Sequence, residues 1–253
     1  ANQNNGEVFL LNIIDLPVMY DTVFVSTVSL EGSFVKDMKE NVERNFEKMK
    51  NELGKKAPKM TSVVTFGPIN LTIRDYVKEK EVDLVVMGTH GAEGLKEFFI
   101  GSNTEKIVRT SHVPVIAVKK HVEDSSIKNI VFAIIPDQEL GAVAVKVKEL
   151  QSFFKATLHI VYINTPTFFR PDLETMEQLR AFVKQFSIVN CTVNVFNDYS
   201  EEEGIRNFSR EKKADLIALA THGRRGLSHF MSGSIAEDVV NHIDCPIWTC
   251  KLS

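Results

Sequence analysis

The sequence Met-Gly-Thr-His-Gly at residues 87–91 is followed, after nine residues, by Gly101-Ser102. A similar stretch, Leu-Ala-Thr-His-Gly at residues 219–223, is followed after nine residues by Gly233-Ser234, so that each position recurs 132 residues later. An internal repeat with this period indicates two copies of one domain.

The repeated stretch reads as a glycine-rich loop between the end of a strand and the start of a helix. Such loops bind phosphate, because the first N–H groups of the helix and its positive dipole end point at the ligand. The alternative is that the glycines only make tight turns. The flanking strand and the Gly-Ser at the helix start favour a binding loop, at least in the first copy.

The composition is that of a globular protein with two domains. The chain has 253 residues, of which 43% are hydrophobic and 25% charged. The net charge is -3 and no basic stripe occurs, which argues against a nucleic-acid partner. No run of 18 apolar residues occurs, so we expect no membrane span.

The cysteine content favours a reducing compartment. There are three cysteines, Cys191, Cys245 and Cys250, and the N-terminal residues lack the pattern of a signal peptide. We therefore expect a cytoplasmic protein with buried structural cysteines. The spacing of His242 and Cys245 could suggest a metal site, but Cys245 and Cys250 would face opposite sides of one strand.

Short apolar runs alternate with amphipathic segments along the whole chain. This pattern predicts an α/β fold with two doubly wound parallel sheets, in domains 1–120 and 127–253 joined by a polar linker. Residues 7–15 are nearly all apolar, as in a parallel strand covered on both faces.

The two copies differ at their starts. The second copy has a strand and a helix before its strand at Thr157, whereas only six residues precede the matching strand at Glu7. The first copy therefore lacks its opening strand-helix unit. Since that strand lies at the middle of a doubly wound sheet, we expect residues upstream of Ala1 in the native protein.

The closing strands of the two copies are apolar edges. Residues 113–118 and 246–250 each carry a proline near the start, where a missing donor is tolerated. Proteins cover or pair such edges. We predict that the two strands pair with each other.

The loop Gly88-x-x-Gly91, nine residues, Gly101-Ser102 resembles the nucleotide-binding signature of the universal stress protein family. Residues 8–15 resemble the second strand of that family and residues 113–118 its closing strand. The resemblance covers the whole chain as a tandem member. It implies five parallel strands per domain in the order 3-2-1-4-5, and an adenine nucleotide, ATP or ADP, possibly with Mg²⁺. Some family members bind no nucleotide.

The resemblance also implies roles for individual residues. The glycines would let backbone approach ribose and phosphates, the helix start would supply N–H groups and a serine hydroxyl, and two apolar side chains would flank the adenine. These residues are Ile13, Met87, Gly88, Gly91, Gly101, Ser102 and Asn103.

The second copy departs from this signature. Ala220 replaces the first glycine, and Ile135 stands at the position of the family's strand-end aspartate. Asp137 could take that role only if the strand end shifts by two residues. Gly223 and Gly233-Ser234 are retained. We expect this copy to be a packing partner without nucleotide.

Other residues invite functional interpretations. His90 and His222 lack a neighbouring nucleophile or carboxylate pair, so bracing of the loop is favoured over catalysis. The arginines at 224–225 could contact phosphate, but a solvated surface is favoured. The apolar loop 165–169 could cap the second pocket or pack at an interface, and the sequence leaves both open.

These patterns favour regulatory nucleotide binding, with protein partners that read the bound state. The chain has no P-loop, no paired catalytic carboxylates and no dinucleotide fingerprint. A slow ATPase with Mg²⁺ is one alternative. An interaction module without nucleotide, or a binder of an apolar ligand, is the other.

Overall fold

The computed structural model describes residues 1–2, 5–15, 28–89, 102–119, 127–136, 140–221, 243 and 245–252, with the side chains at 28–35, 56 and 102 left out. The chain divides into two compact units, 1–79 and 80–253. The predicted domains 1–120 and 127–253 follow the repeat, whereas in this division residues 80–119 fall with the second copy.

The described residues of the first unit form two strands, two α-helices and a 3-10 turn. Its elements are β1 (Glu7–Ile14), α1 (Val28–Leu53), a 3-10 turn (Gly54–Lys56), β2 (Lys59–Phe66) and α2 (Ile69–Glu79). β1 and β2 pair in parallel, with Glu7 opposite Lys59 and Ile14 opposite Phe66. Glu7 accepts hydrogen bonds from Lys59 (2.9 Å) and Thr61 (2.7 Å). Both bonds lower the pKa of the Glu7 carboxyl, and the bond from Lys59 has the larger effect.

The burial of β1 differs from the prediction. Only Ile14 is buried, while Val8 to Ile13 are half-buried. β1 has one strand neighbour, and none of the residues of α2 is buried. The prediction that β1 is covered on both faces is therefore wrong, because a two-stranded sheet has little structure to pack against.

The second unit holds one sheet of seven strands in the order β3-β4-β9-β8-β5-β6-β7. Its first-copy elements are β3 (Val85–Gly88), α3 (Ser102–Thr110) and β4 (Val115–Val118). Its second-copy elements are β5 (Asn129–Ala133), α4 (Gly141–Phe154), β6 (Thr157–Asn164), α5 (Asp172–Gln185), β7 (Cys191–Asn197), α6 (Glu201–Glu211), β8 (Leu216–Thr221) and β9 (Ile247–Lys251).

The five strands of the second copy are parallel and lie in the order β7-β6-β5-β8-β9. Counted within the copy, this is the order 3-2-1-4-5. The central strands are the most buried: β8 is buried throughout, as is β6 after its first residue. This burial is what the apolar runs of these strands predict for a sheet covered on both faces.

The closing strands β4 and β9 pair antiparallel, with Ile116 opposite Trp248. This is the pairing predicted for the two apolar edges. It joins the last two strands of the first copy to the sheet of the second copy. Ala117 and Trp248, each 2% exposed, are buried as a result.

The four described strands of the first copy belong to two sheets. β1 pairs with β2, and β3 pairs with β4. In the second copy the corresponding pairs are joined by β5, which lies between β6 and β8. Among the described strands none has this place in the first copy, for which the sequence predicts that the opening strand-helix unit is missing.

Asp83 and Asp215, which lie 132 residues apart at matching positions of the two copies, have different surroundings. Asp215 accepts hydrogen bonds through Oδ2 from the backbone N–H groups of Lys128 (2.8 Å) and Asn129 (2.9 Å). Its own N–H donates to the carbonyl of Asn129 at 2.9 Å. Asp215 therefore ties the start of β5 to the start of β8, whereas Asp83 is exposed.

Helix α6 lies close to β6 because Gly204 faces the strand without a side chain. A Cβ atom at Gly204 would lie 2.2 Å from Cγ2 of Ile163. The helix begins with a cap, since Ser200 Oγ accepts a hydrogen bond from the N–H of Glu203 at 3.2 Å.

Candidate functional site

The end of β3 and the first turn of α3 are joined by a side-chain hydrogen bond. Thr104 Oγ1 donates to the carbonyl oxygen of Gly88 at 2.9 Å. Thr104 is the third residue of α3 and is only 3% exposed. The bond spans 16 residues of sequence and holds the helix start against the strand end.

The strand end is also anchored to its neighbour. The N–H of Thr89 donates to the carbonyl of Val118 at 3.0 Å, and Thr89 is 1% exposed. Gly88, one residue earlier, is exposed, and Met87 is half-buried. The backbone at Gly88 is therefore fixed and still accessible to a ligand.

Helix α3 presents its N-terminus at this position. The first N–H groups of an α-helix have no partner within the helix, and they carry partial positive charge. The helix is held in place by Ile107 and Val108, which are 2% and 5% exposed. Glu105 in the first turn pairs with Arg109 at 3.3 Å, which offsets its repulsion of an anion.

The structure describes part of the predicted residue set. It brings Gly88 together with the first turn of α3, where Ser102 opens the helix and Asn103 follows, half-buried. Ile13 lies in the unit 1–79, opposite Thr65 in β2. Its contact with an adenine stays a prediction. Gly91 and Gly101 lie outside the described residues.

Thr104 is the site residue that the sequence pattern does not reveal. Its hydroxyl acts on a carbonyl far away in sequence, which no local motif predicts. The repeat does carry a signal: 132 residues later the chain has Ala236, which has no hydroxyl to offer.

The second copy has a different strand end. Ala220 and Thr221 close β8 and are each 2% exposed. The Thr221 hydroxyl is buried and has no hydrogen-bond partner in the part of the chain that the structure describes. Ile135 is half-buried after β5. Asp137, Gly223 and the pair Gly233-Ser234 lie outside the described residues.

The apolar loop after β6 is held by its own hydrogen bonds. Tyr162 donates from its hydroxyl to the Phe168 carbonyl at 2.6 Å. Asn164 donates to the Arg170 carbonyl at 3.1 Å and accepts from the Arg170 N–H at 2.9 Å. Phe169 is nevertheless 70% exposed. Both interpretations of this loop, a pocket cap and an interface, stay open.

The cysteines follow the prediction only in part. Cys250 is buried, and this burial raises the pKa of its thiol to about 11. Cys191 and Cys245 are only half-buried, so the prediction of three buried cysteines is wrong for them. Cys191 lies on the outermost strand of the sheet, and Cys245 lies ahead of β9.

The described residues contain neither a group of metal ligands nor a helix suited to cross a membrane. No three His, Cys, Asp or Glu side chains in this part of the chain are grouped closely enough to hold a metal ion. None of the described helices has the length and apolar character needed to cross a bilayer. His90, His222, the arginines at 224–225 and His242 lie outside the described residues.

Comparison with known proteins identifies relatives of both copies. The family model of the universal stress protein family matches residues 1–119 and 126–251. Universal stress protein MJ0531 of Methanocaldococcus jannaschii is 28% identical over 120 residues, which are 47% of this chain and 69% of that protein. Universal stress protein MJ0577 of the same organism is 30% identical over 95 residues, 38% of this chain and 59% of that protein.

A solved structure extends the similarity to nearly the whole chain. A universal stress protein from Archaeoglobus fulgidus aligns with 97% of this chain and 85% of its own, with a TM-score of 0.70 and 19% sequence identity. At this identity the alignment shows the fold.

Proposed function

Because the chain belongs to the universal stress protein family, we propose that its first copy binds an adenine nucleotide, ATP or ADP, and reports the bound state to a protein partner. The observation that supports this most directly is the hydrogen bond from Thr104 to the Gly88 carbonyl (2.9 Å), which holds a helix N-terminus beside an exposed glycine. Phosphate oxygens are suited to free N–H groups in such a position.

The first copy is the better candidate of the two. It has Gly88, Asn103 and Thr104 where the second copy has Ala220, Ile235 and Ala236. A methyl group replaces bare backbone, and the two polar side chains are lost. In this proposal Gly91, Gly101 and Ser102 complete the phosphate site, and Ile13 and Met87 flank the adenine.

The proposal is for regulation rather than catalysis. Hydrolysis would require a group that activates water, and the proposed binding residues do not include one. Mg²⁺ would arrive with the phosphates, since it binds largely through them and needs only one or two protein carboxylates. A slow ATPase remains the alternative and predicts phosphate release that depends on Mg²⁺.

The test is calorimetric titration of the full chain with ATP, ADP and GTP. cAMP and dAMP belong in the panel because solved members of the family hold them. We expect Gly101→Val to weaken ATP binding at least tenfold, about 1.4 kcal/mol, because a branched side chain would occupy the phosphate position. Thr104→Val keeps the side-chain shape, removes the hydroxyl and should weaken binding in the same direction.

Gly233→Val is the matched control in the second copy and should leave the affinity unchanged. If Gly233→Val abolished binding while Gly101→Val preserved it, the site would belong to the second copy. If none of the nucleotides bound the wild-type chain, the interaction module without nucleotide would be the better description. Release of phosphate from ATP at a rate that Gly101→Val abolishes would establish the ATPase.

A further inference from the structure

A cavity lies in the unit 80–253, at the edge where the strands of the second copy begin. Its volume is about 200 Å³. It is lined by Arg206, Ser209, Arg210 and Lys213 at the end of α6 and by Ile243 and Cys245 ahead of β9. None of the residues predicted to bind nucleotide lines it.

The charge around this cavity is positive. Arg206 Nη2 pairs with Glu203 at 3.3 Å, which neutralises one of the three cations. Arg210 and Lys213 are exposed, and in the described part of the chain neither side chain has a carboxylate partner. Lys212 next to them is engaged elsewhere, with Glu211 at 2.8 Å. Two cations at the cavity therefore have no carboxylate partner among the described residues.

Two polar atoms on residues that line the cavity are buried without a hydrogen-bond partner among the described residues. Ser209 is 5% exposed, and its Oγ atom is one of them. The Nε atom of Arg206 is the other. Buried polar groups in native proteins are nearly always hydrogen-bonded, so these two atoms point to an acceptor that the described residues do not supply.

Two carbonyl groups at the end of α6 accept hydrogen bonds from backbone N–H groups. The Ser209 carbonyl accepts the N–H of Ala214 at 2.9 Å, and the Arg210 carbonyl accepts that of Lys213 at 3.1 Å. These two bonds form a Schellman motif, with Lys213 at φ 49 in the left-handed position where glycine is usual.

We propose that this cavity binds a small tetrahedral oxyanion, either inorganic phosphate or the phosphoryl group of a small phosphomonoester. The hydroxyl of Ser209 and Nε of Arg206 would donate to its oxygens, with Arg210 and Lys213 supplying charge. Pockets for drug-sized ligands measure about 300–1,000 Å³, so this cavity is too small for a whole nucleotide.

The cavity shares no described lining residue with the proposed nucleotide loop. Because β4 runs antiparallel to β9, the end of β3 at Gly88 lies on the same edge of the sheet as the start of β9. Phosphate could therefore reach either place, and the test has to distinguish them. Variants in the two sites do so.

The experiment is thermal unfolding of the full chain with sodium phosphate, glycerol 3-phosphate, or sodium chloride at matched ionic strength. The fluorescence of Trp248, the one tryptophan of the chain and 2% exposed, reports the unfolding of this unit. At about twentyfold above Kd, phosphate should raise Tm by about 3–6 °C and chloride should not. Tighter binding of the monoester would identify a small phosphorylated molecule as the ligand, and tighter binding of phosphate the free ion.

Ser209→Ala should preserve or raise the stability of the phosphate-free protein and weaken its binding of phosphate. It removes an unbonded hydroxyl, so the protein without phosphate should melt at an equal or higher temperature, while phosphate affinity falls about tenfold. A lower Tm without phosphate, or an unchanged affinity, would overturn the proposal.

Lys213→Gly has a matched control in Lys155→Gly. Lys155 has φ 53 and ends α4 with the same two bonds, from Ala156 to Gln151 (3.1 Å) and from Lys155 to Ser152 (3.3 Å). Both substitutions relieve the same backbone strain, but only Lys213→Gly should weaken phosphate binding. Equal affinities of these two variants, or a phosphate effect that Gly101→Val alone removes, would contradict the assignment.

Discussion

The contact between α6 and β6 gives a quantitative test of the fold. In Gly204→Ala the new Cβ would lie 2.2 Å from Ile163 Cγ2, 3.3 Å from Ile163 Cβ and 3.2 Å from Asp198 Cβ. Carbon atoms pack best at about 3.5–4.0 Å, so the helix or the strand would have to move by more than about 1 Å. Ile163 lies in β6 beside the edge strand β7 and is 0% exposed, so its side chain cannot move aside into solvent without disturbing its neighbours.

The size of the effect follows from two opposing terms. Overpacking of a well-packed core costs about 1–3 kcal/mol, and alanine is about 1 kcal/mol better than glycine inside a helix. The overlap is large and both elements are fixed, so the upper end of the first range applies. We expect a net loss of about 2 kcal/mol, which lowers Tm by about 4–8 °C for a unit of this size.

The assay is thermal unfolding followed by Trp248 fluorescence, since this residue lies in the same unit as Gly204. Gly141→Ala in α4 is the control, because a Cβ there would meet only Phe186 Cζ, at 4.0 Å. It should be neutral or slightly stabilising. If Gly204→Ala melted no lower than Gly141→Ala, α6 would not approach β6 as closely as described.

Two further predictions concern polar groups of the same unit. Asp215→Ala should lower the free energy of unfolding by about 2 kcal/mol, because the backbone N–H groups of Lys128 and Asn129 lose a carboxylate acceptor, whereas Asp83→Ala should change it by less than about 0.5 kcal/mol. Equal effects in urea titrations would refute the strand-anchoring role. Burial, aided by Lys212, lowers the pKa of His159, so the unfolded chain binds the proton more readily and stability should fall as pH drops below about 6.5. His159→Gln should flatten this decline between pH 7 and 5, and an unchanged profile would count against the assignment.

Much of the fold follows from local sequence signals. The apolar strand β6 and the amphipathic helix α5 are recognisable because their hydrophobic periods match their secondary structure. The pairing of β4 with β9 is also predictable, since two apolar edges in one chain have to be covered. The burial of β1 is not, because burial depends on how many elements pack against the strand.

The candidate site is predictable to the same extent. The repeat identifies Gly88 and the helix start at Ser102 as one loop, because glycine and helix-capping residues have strong local preferences. The hydroxyl of Thr104 and the buried atoms of Ser209 and Arg206 carry no such preference. Thr104 is identified by its distance to the Gly88 carbonyl. Ser209 and Arg206 are identified by buried polar atoms that have no hydrogen-bond partner among the described residues.

The sequence by itself therefore determined the two copies, their α/β class and the position of the glycine-rich loop, since these depend on residue spacing and on neighbours along the chain. Only the tertiary structure decided that β3 and β4 join the sheet of the second copy and that the cationic side chains of Arg206, Arg210 and Lys213 line one cavity with Ile243 and Cys245. Strand pairing and cavities arise from groups distant in sequence, whose hydrogen bonds and burial are settled when the chain packs.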